Sequence, residues 1–380
     1  MNFLITYSKN SGGGLFKRIC RLIDALADAG HTVHYVSIGN FSLRHSNSEN
    51  IVFHKIPKFT DVNSPFRFIH YALSGMLLTF YCIYLSKKYK IDSAIAPGIS
   101  CAYVYGPAKY LFNIKIISFI LGDATNDMFL KKMNKLLIVL CSRLEHIGFL
   151  ITNKVITNNK YLTNNKCIIY KVKSAIIKYI PNDINTSKYK PKNTKSRIRR
   201  EYNIPQEAFV YGYFGNLIEG KKVDLIIEAF QILNRKDVWL LIAGRGYYEK
   251  RLIELAEECS LRDNIIFAGW KNNVEDYINA VNMTVLPSLS EGMPESILES
   301  LGCGIPCIGS DISGIREVLY YDDLLFTPNN TSELSKYMFK IIEDKQHYLY
   351  LNNLCNIRKE CFVFDWNKNI VDELTTRYNN

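Results

Sequence analysis

Ser290-Glu291-Gly292-Met293-Pro294-Glu295-Ser296-Ile297-Leu298-Glu299 sets two carboxylates, Glu291 and Glu299, with seven residues between them across a loop-to-helix junction. Ahead of it, Met283-Thr284-Val285-Leu286-Pro287-Ser288 reads as a short buried strand that ends in a turn. Behind it, the helix stops at Gly302, Gly304 and Pro306. A strand, a Gly/Pro loop and a helix N-terminus form an anion site, because the first backbone N–H groups of the helix have no partner within it. Such groups hold a phosphate or a sugar hydroxyl. Glu299 lies about one turn inside the helix and shares a face with its start. A carboxylate there suits a polyhydroxyl ligand, since each oxygen accepts hydrogen bonds from hydroxyls. The plainer alternative is an acidic helix start in which Glu291 and Glu295 only complement the dipole.

Outward from this stretch the chain alternates strands and helices. Phe209–Phe214, Val238–Ala243, Ile265–Phe267 and Pro306–Gly309 read as strands, with helices over Val223–Leu233, Tyr247–Cys259 and Val274–Ala280. The first half has the same rhythm. Leu4–Tyr7 is a strand, Gly12-Gly13-Gly14 a turn, Phe16–Ala29 a helix with Ile19, Leu22, Ile23 and Leu26 on one face, and Thr32–Val36 a strand. Further strands are expected at Ser93–Ala96, Lys115–Phe119, Lys154–Thr157 and Ile176–Ile180. Repeated βαβ units imply parallel sheets. The expectation is therefore two doubly wound α/β domains, residues 1–185 and 201–361. An Asn/Lys/Thr-rich linker over 186–200 would join them. Such domains take ligands at the carboxyl ends of their strands.

The Glu-x7-Glu string closely resembles the donor-site signature of retaining glycosyltransferase family 4, whose members have the GT-B fold. The resemblance implies two Rossmann-like domains facing a central cleft, an acceptor-binding first domain and a nucleotide-sugar-binding second one. It gives Glu291 the donor sugar and Glu299 the nucleotide ribose. Phe214–Asp224 resembles the family's GRLxxxKGxD segment, which neutralises the diphosphate; Lys221 falls on the Lys, Asn216 stands where the Arg usually is, and Lys222 replaces the Gly. Asn donates hydrogen bonds but brings no charge, so the leaving group would rest on Lys221, assisted by Lys222. The alternative for Lys221 is a solvated loop lysine. Gly13 and Gly14 fall where the family has a Gly-Gly near the diphosphate and acceptor; a plain tight turn explains them equally well. Pro181–Asn185 resembles a PNGVD turn at the domain junction, and Gly244-Arg245-Gly246 and Ser313–Glu317 resemble turns of structural value. Phe364-Asp365-Trp366 resembles the opening of a last helix, here 362–380, that crosses back to the first domain. The candidate residues are then Glu291 and Lys221 for catalysis, with Gly13, Gly14, Asn216, Gly292, Met293, Pro294, Glu295 and Glu299 for substrate. Asp123 is a further acceptor-side candidate, although a turn-forming Asp accounts for it as well.

Composition narrows the classes. The 380 residues are 48% hydrophobic, enough for packed cores in two domains. The 10 cysteines form no CxxC pair, which points to free thiols in a reducing compartment. The first residues read as a strand and not a signal peptide, so a cytoplasmic protein is expected. Charge divides sharply: residues 1–200 carry 30 Lys and Arg against 9 Asp and Glu, and residues 201–380 carry 17 against 27. A basic first half suits an anionic membrane face or a lipid-diphosphate acceptor, or is a solvated surface. It lacks the motifs of nucleic-acid binders. Phe68–Ser86 holds no charged residue and lies between Arg67 and Lys87-Lys88; a core or interface helix with peripheral membrane contact is expected there. No Asp-x-Asp triplet occurs, so no metal cofactor is expected; in metal-dependent transferases carboxylates hold the diphosphate through a cation.

The resemblance thus implies a retaining hexosyltransferase. It would move sugar from a nucleotide-sugar donor to a carbohydrate or lipid-linked acceptor in bacterial surface polysaccharide assembly, with peripheral contact at the inner membrane face. Two rivals stay open: another GT-B enzyme, such as an epimerase or an inverting transferase, and a non-catalytic nucleotide-sugar-binding subunit, to which Asn216 lends weight.

Overall fold

The computed structural model describes residues 1–7, 14–38, 48–56, 67–122, 134–171, 176–261 and 263–376. Gly13 and Asp123 lie outside these residues. The chain forms two compact units, Met1–Ile180 with Asp365–Asn380, and Pro181–Phe364.

The first unit is built on seven parallel strands: β1 (Asn2–Tyr7), β2 (Thr32–Ile38), β3 (Ile51–Ile56), β4 (Ser93–Ala96), β5 (Lys115–Ile120), β6 (Lys154–Thr157) and β7 (Ile177–Tyr179). Their order is β3-β2-β1-β4-β5-β6-β7, so the winding reverses between β1 and β4. Leu4 sits opposite both His34 and Ala94, with strand residues buried from Phe3 to Ile5. Between the strands run α1 (Gly14–Asp28), α2 (Arg67–Tyr89), α3 (Gly106–Phe112), α4 (Lys135–Ile151) and α5 (Lys160–Tyr170). Gly14 is the first residue of α1, and β3 is a strand that the sequence pattern did not reveal.

The second unit has six parallel strands, β8 (Phe209–Phe214), β9 (Val238–Ala243), β10 (Ile265–Phe267), β11 (Met283–Leu286), β12 (Cys307–Ser310) and β13 (Leu325–Phe326), in the order β10-β9-β8-β11-β12-β13. Its helices are α6 (Lys195–Glu201), α7 (Val223–Leu233), α8 (Glu249–Glu258), α9 (Val274–Ile278), α10 (Glu295–Gly302), α11 (Ser313–Leu319), α12 (Thr331–Glu343) and α13 (Lys345–Glu360). β8, β9, β11 and β12 are buried along most of their length, as a parallel sheet covered on both faces requires, and the edge strand β10 is buried at Ile265. The winding reverses between β8 and β11, which pair at Met283↔Tyr211 and Thr284↔Gly212.

Two boundary expectations need correction. The first unit ends at Ile180, five residues early, and residues 186–200 are folded onto the second unit instead of linking two domains. Apolar burial and polar contacts hold them there, with Tyr189 and Ile198 in the core of the second unit. The acidic second half binds the basic segment: Lys192 Nζ lies 3.2 Å from Glu275 and 3.0 Å from Asp276. Arg199, only 1% exposed, donates to the carbonyls of Ala280, Gln206 and Ala208 and to Asn282 Oδ1. A polar composition marks a linker only when no partner claims its charges.

The last helix, α14 (Trp366–Thr375), belongs to the first unit. The Asp365 side chain caps it by accepting from Lys368 N at 3.0 Å. Trp366 is buried beneath the guanidinium groups of Arg18 and Arg21, 4.8 and 5.0 Å from its ring. Arg21 Nε donates to Asn367 Oδ1 at 2.7 Å, and Lys154 binds the Glu373 carboxylate.

One buried pair gives the first unit a pH dependence. His34 Nδ1 and His54 Nε2 lie 3.0 Å apart across β2 and β3, with the rings stacked. Burial, and then the neighbouring ring's charge, push His34 down to about 4; burial and then Lys88 lower His54 as well. Below its ordinary value near 6.5 the unfolded chain takes up protons that the folded pair refuses, so stability falls as pH falls. We expect unfolding of the first unit to become easier by about 2 kcal/mol between pH 7.5 and pH 5 through His34 alone. Denaturant melts of the wild type and of a His34→Leu/His54→Leu variant would measure this; the variant should show a flatter slope.

Candidate functional site

The two strands that flank the reversal of the second sheet deliver the candidate residues. β8 runs into the loop 215–222 and β11 into the loop 287–294, both at carboxyl ends. The loops are tied by backbone, Leu289 N donating to Gly220 O at 3.0 Å, and by charge, Lys221 Nζ donating to Glu291 Oε1 at 2.6 Å. Ser288 Oγ donates to the same Glu291 oxygen at 2.8 Å. Ser288 is fully buried, and its carbonyl accepts from Ser310 Oγ on β12. Both members of the ion pair keep a minor exposure, 21% for the Lys221 side chain and 13% for Glu291, so a ligand can reach them.

Backbone contacts set the height of the loops. A Cβ on Gly314, at the start of α11, would lie 2.2 Å from Glu291 O and 2.6 Å from Gly292 O. Only glycine lets α11 approach the loop 287–294 so closely. In the same way Gly244 sits against Gly215 O and Gly246 against Leu217 O, which locks the loop after β9 to the loop after β8. Beneath, the buried Tyr213 hydroxyl donates to Asn216 O at 2.9 Å. Burial, and then the charge of Glu291, raise this phenol well above its ordinary value, so it stays a neutral donor.

The helix α10 opens at Pro294, which has extended backbone angles, and Glu295 occupies its first turn. Met293 is buried, with its sulfur accepting from Asn182 N at 3.1 Å. One turn beyond Glu295, Glu299 Oε1 accepts from Tyr189 OH at 2.6 Å. Burial, and then Glu299, drive the Tyr189 phenol far upward, so the proton stays on the tyrosine and the charge on Glu299. Gly302 lies against Tyr189 as well: a Cβ there would come within 2.9 Å of Tyr189 Cβ.

The structure thus gathers Lys221, Glu291, Gly292, Met293, Pro294, Glu295 and Glu299 on neighbouring segments of one unit. Asn216 is on the same loop as Lys221 with an exposed side chain. Lys222 does not assist its neighbour, since its ammonium binds Asp224 Oδ2 at 2.7 Å. It holds a left-handed backbone, φ 50°, where a side chain costs roughly 1 kcal/mol. Sequence reasoning missed Tyr189, Ser288 and Gly314 as site residues. Tyr189 lay in the stretch read as linker, and the roles of the other two emerge only from packing. His70 is in α2.

The architecture is the two-domain GT-B fold. HepE of Anabaena, solved in complex with UDP, superposes with a TM-score of 0.80 over 99% of this chain and all of its own, at 16% identity. Residues 194–354 match the family model of group 1 glycosyl transferases, and this span contains Lys221 and both glutamates. The chain is 30% identical over 142 residues to the O-antigen biosynthesis glycosyltransferase WclY of Escherichia coli, covering 37% of this chain and 40% of that one. It is 27% identical over 177 residues to an E. coli UDP-Gal:alpha-D-GlcNAc-diphosphoundecaprenol alpha-1,3-galactosyltransferase, covering 44% and 46%. The alignments therefore span less than half the length of these curated relatives.

Two glycine replacements test the loop geometry. Gly314→Ala should lower unfolding stability by about 2 kcal/mol or more, because backbone atoms must move to admit the methyl. Gly220→Ala, with open space around its Cβ, should change stability by less than about 0.5 kcal/mol. Urea melts of both variants decide.

Proposed function

We propose that this protein is a retaining, metal-independent glycosyltransferase whose second unit binds the nucleotide-sugar donor and whose first unit binds the acceptor. The observation that carries the reading is the Lys221–Glu291 pair, set between two strand ends at the sheet reversal, in the loop that leads into the helix bearing Glu299. Its geometry fits a donor stretched across three points. Glu299, oriented by Tyr189, takes the ribose hydroxyls. Lys221 and the first backbone N–H groups of α10 take the diphosphate. Glu291 takes the hydroxyls of the sugar. In the free protein Lys221 and Glu291 neutralise each other; a bound diphosphate would draw the ammonium to itself and leave Glu291 to accept from the sugar.

The reaction breaks the bond between the anomeric carbon and the diphosphate oxygen, which keeps the electron pair. Lys221 and the α10 amides meet the charge as it develops, which is electrostatic preorganisation. The acceptor oxygen bonds to the same carbon on the face the diphosphate leaves, and its proton passes to a phosphate oxygen. No protein nucleophile and no metal takes part. The absence of Asp-x-Asp triplets and the placement of Lys221 support this route. The names of the two Escherichia coli relatives and the basic first half support a glycan or lipid-diphosphate acceptor in surface polysaccharide assembly. Work at the inner membrane face follows from such an acceptor. The charge missing at Asn216 favours a second reading, a nucleotide-sugar binder that does not turn over.

Removing the Lys221 ammonium separates the two. With acceptor supplied as a bacterial membrane extract, Lys221→Ala should cut release of nucleoside diphosphate from the donor about 10²- to 10³-fold. Its stability should change by no more than about 1 kcal/mol, because the pair is partly solvated. Wild-type protein that binds donor but releases none would establish the binder. In the active case Tyr189→Phe should weaken donor binding about tenfold, by loosening Glu299.

A further inference from the structure

The first unit carries apolar side chains where a soluble surface should not. On α2, Leu73, Leu77, Phe80 and Tyr84 recur at i, i+4, i+7 and i+11, one stripe of a helix, and all are exposed; Phe80 reaches 69%. On α4, Leu136, Leu140, Ile147 and Leu150 follow the same rhythm with Arg143 in the gap, and Leu136 and Leu150 are 76% and 71% exposed. Between them α3 exposes Tyr110 and Leu111.

These helices form one layer. α2 packs on the turn Ile99–Tyr105, where Gly75 meets the Tyr103 hydroxyl, and on α3. α4 packs on the same turn through Gly148, whose Cβ would lie 2.0 Å from Ile99 O. Lys109 of α3 donates to Ile151 O at the end of α4. All three connect strands that step in the same direction across the sheet, β3 to β4, β4 to β5 and β5 to β6, so the right-handed rule places them on one face.

The charge around this face has one sign. Among the described residues from 67 to 171, Asp92 and Glu145 are the sole acids, against twelve Lys and Arg. Glu145 is buried and neutralised by Lys166 at 2.8 Å. Lys87, Lys88 and Lys90 lie exposed at the end of the α2 stripe, and Lys135 at the start of that on α4. A second copy of this chain would bring like charges together across such a face. A lamella with apolar chains below anionic headgroups complements both features, since helices lying in that plane bury their apolar side and leave the cations among the phosphates. No helix among the described residues is long and apolar enough to cross a membrane, so contact would be from one side.

We propose that the outer face of α2, α3 and α4 is a docking surface for an anionic lipid bilayer. The assay reads docking without turnover, so it stands or falls apart from the transfer reaction. The full chain is sedimented with vesicles of phosphatidylcholine alone or of phosphatidylcholine mixed with phosphatidylglycerol, at low and high salt. Wild type should partition to the anionic vesicles and be released by salt. Phe80→Ser/Leu136→Ser/Leu150→Ser should lose at least about tenfold in partition, and Lys87→Glu/Lys90→Glu a similar amount at low salt, with melting temperatures unchanged because all five side chains are exposed. A Phe80→Trp variant should shift its emission to the blue on anionic vesicles. Equal sedimentation of wild type and variants overturns the proposal. So does a wild-type dimer that the serine variant dissolves, which would make the face an interface between copies.

Discussion

The contact between Lys221 and Glu291 is the centre of the candidate site in the second unit. It joins the loops after β8 and β11, the two strands between which the sheet reverses. Chain that leaves these strands must diverge, because successive helices cover opposite faces of the sheet. On the proposed reading a crevice opens there, and the ion pair in it is the charge-matched seat of the donor. Everything nearby fixes the height and tilt of this pair. Ser288 holds Glu291 from below, Gly314 lets α11 press against the loop, and Tyr213 steadies the backbone at Asn216.

A consequence is that the site depends on residues distant in sequence. Asn182 holds Met293, and Tyr189 holds Glu299, so the segment following Pro181 clasps α10 at its start and one turn further on. The first residues of the second unit therefore help to hold the candidate site. Repositioning that segment would be felt first at Met293 and Glu299.

Much of this was legible in the sequence because the motif is contiguous. A strand, a Pro/Gly loop and a helix start occupy 283–302, and local pattern suffices to place Glu291 and Glu299 at one strand end. Lys221 was singled out by the resemblance of Phe214–Asp224 to a family segment, and it lies in the loop after β8. What stayed hidden depends on contacts across the chain. Tyr189 sits in a lysine-rich stretch whose composition resembles a linker, and only its acidic partners reveal it as folded. Lys222 could be assigned to the diphosphate until its side chain was seen on Asp224. The apolar stretch of α2 reads as a core or interface helix with peripheral membrane contact; Cys82 and Leu85 do enter the core, but only the structure shows which residues, Leu73, Leu77, Phe80 and Tyr84, stay exposed.

The central claim is that this crevice binds a nucleotide sugar through Glu299. Thermal stabilisation of the purified protein by UDP, GDP, ADP and their sugars, repeated with Glu299→Ala, addresses it most directly, since a ligand bound to the folded state stabilises it by about 2.7 kcal/mol at a hundred times its dissociation constant. The account predicts that one nucleotide class raises the melting temperature of the wild type and loses that effect in the variant. No shift across the panel, or a shift that survives loss of the Glu299 carboxylate, would contradict it.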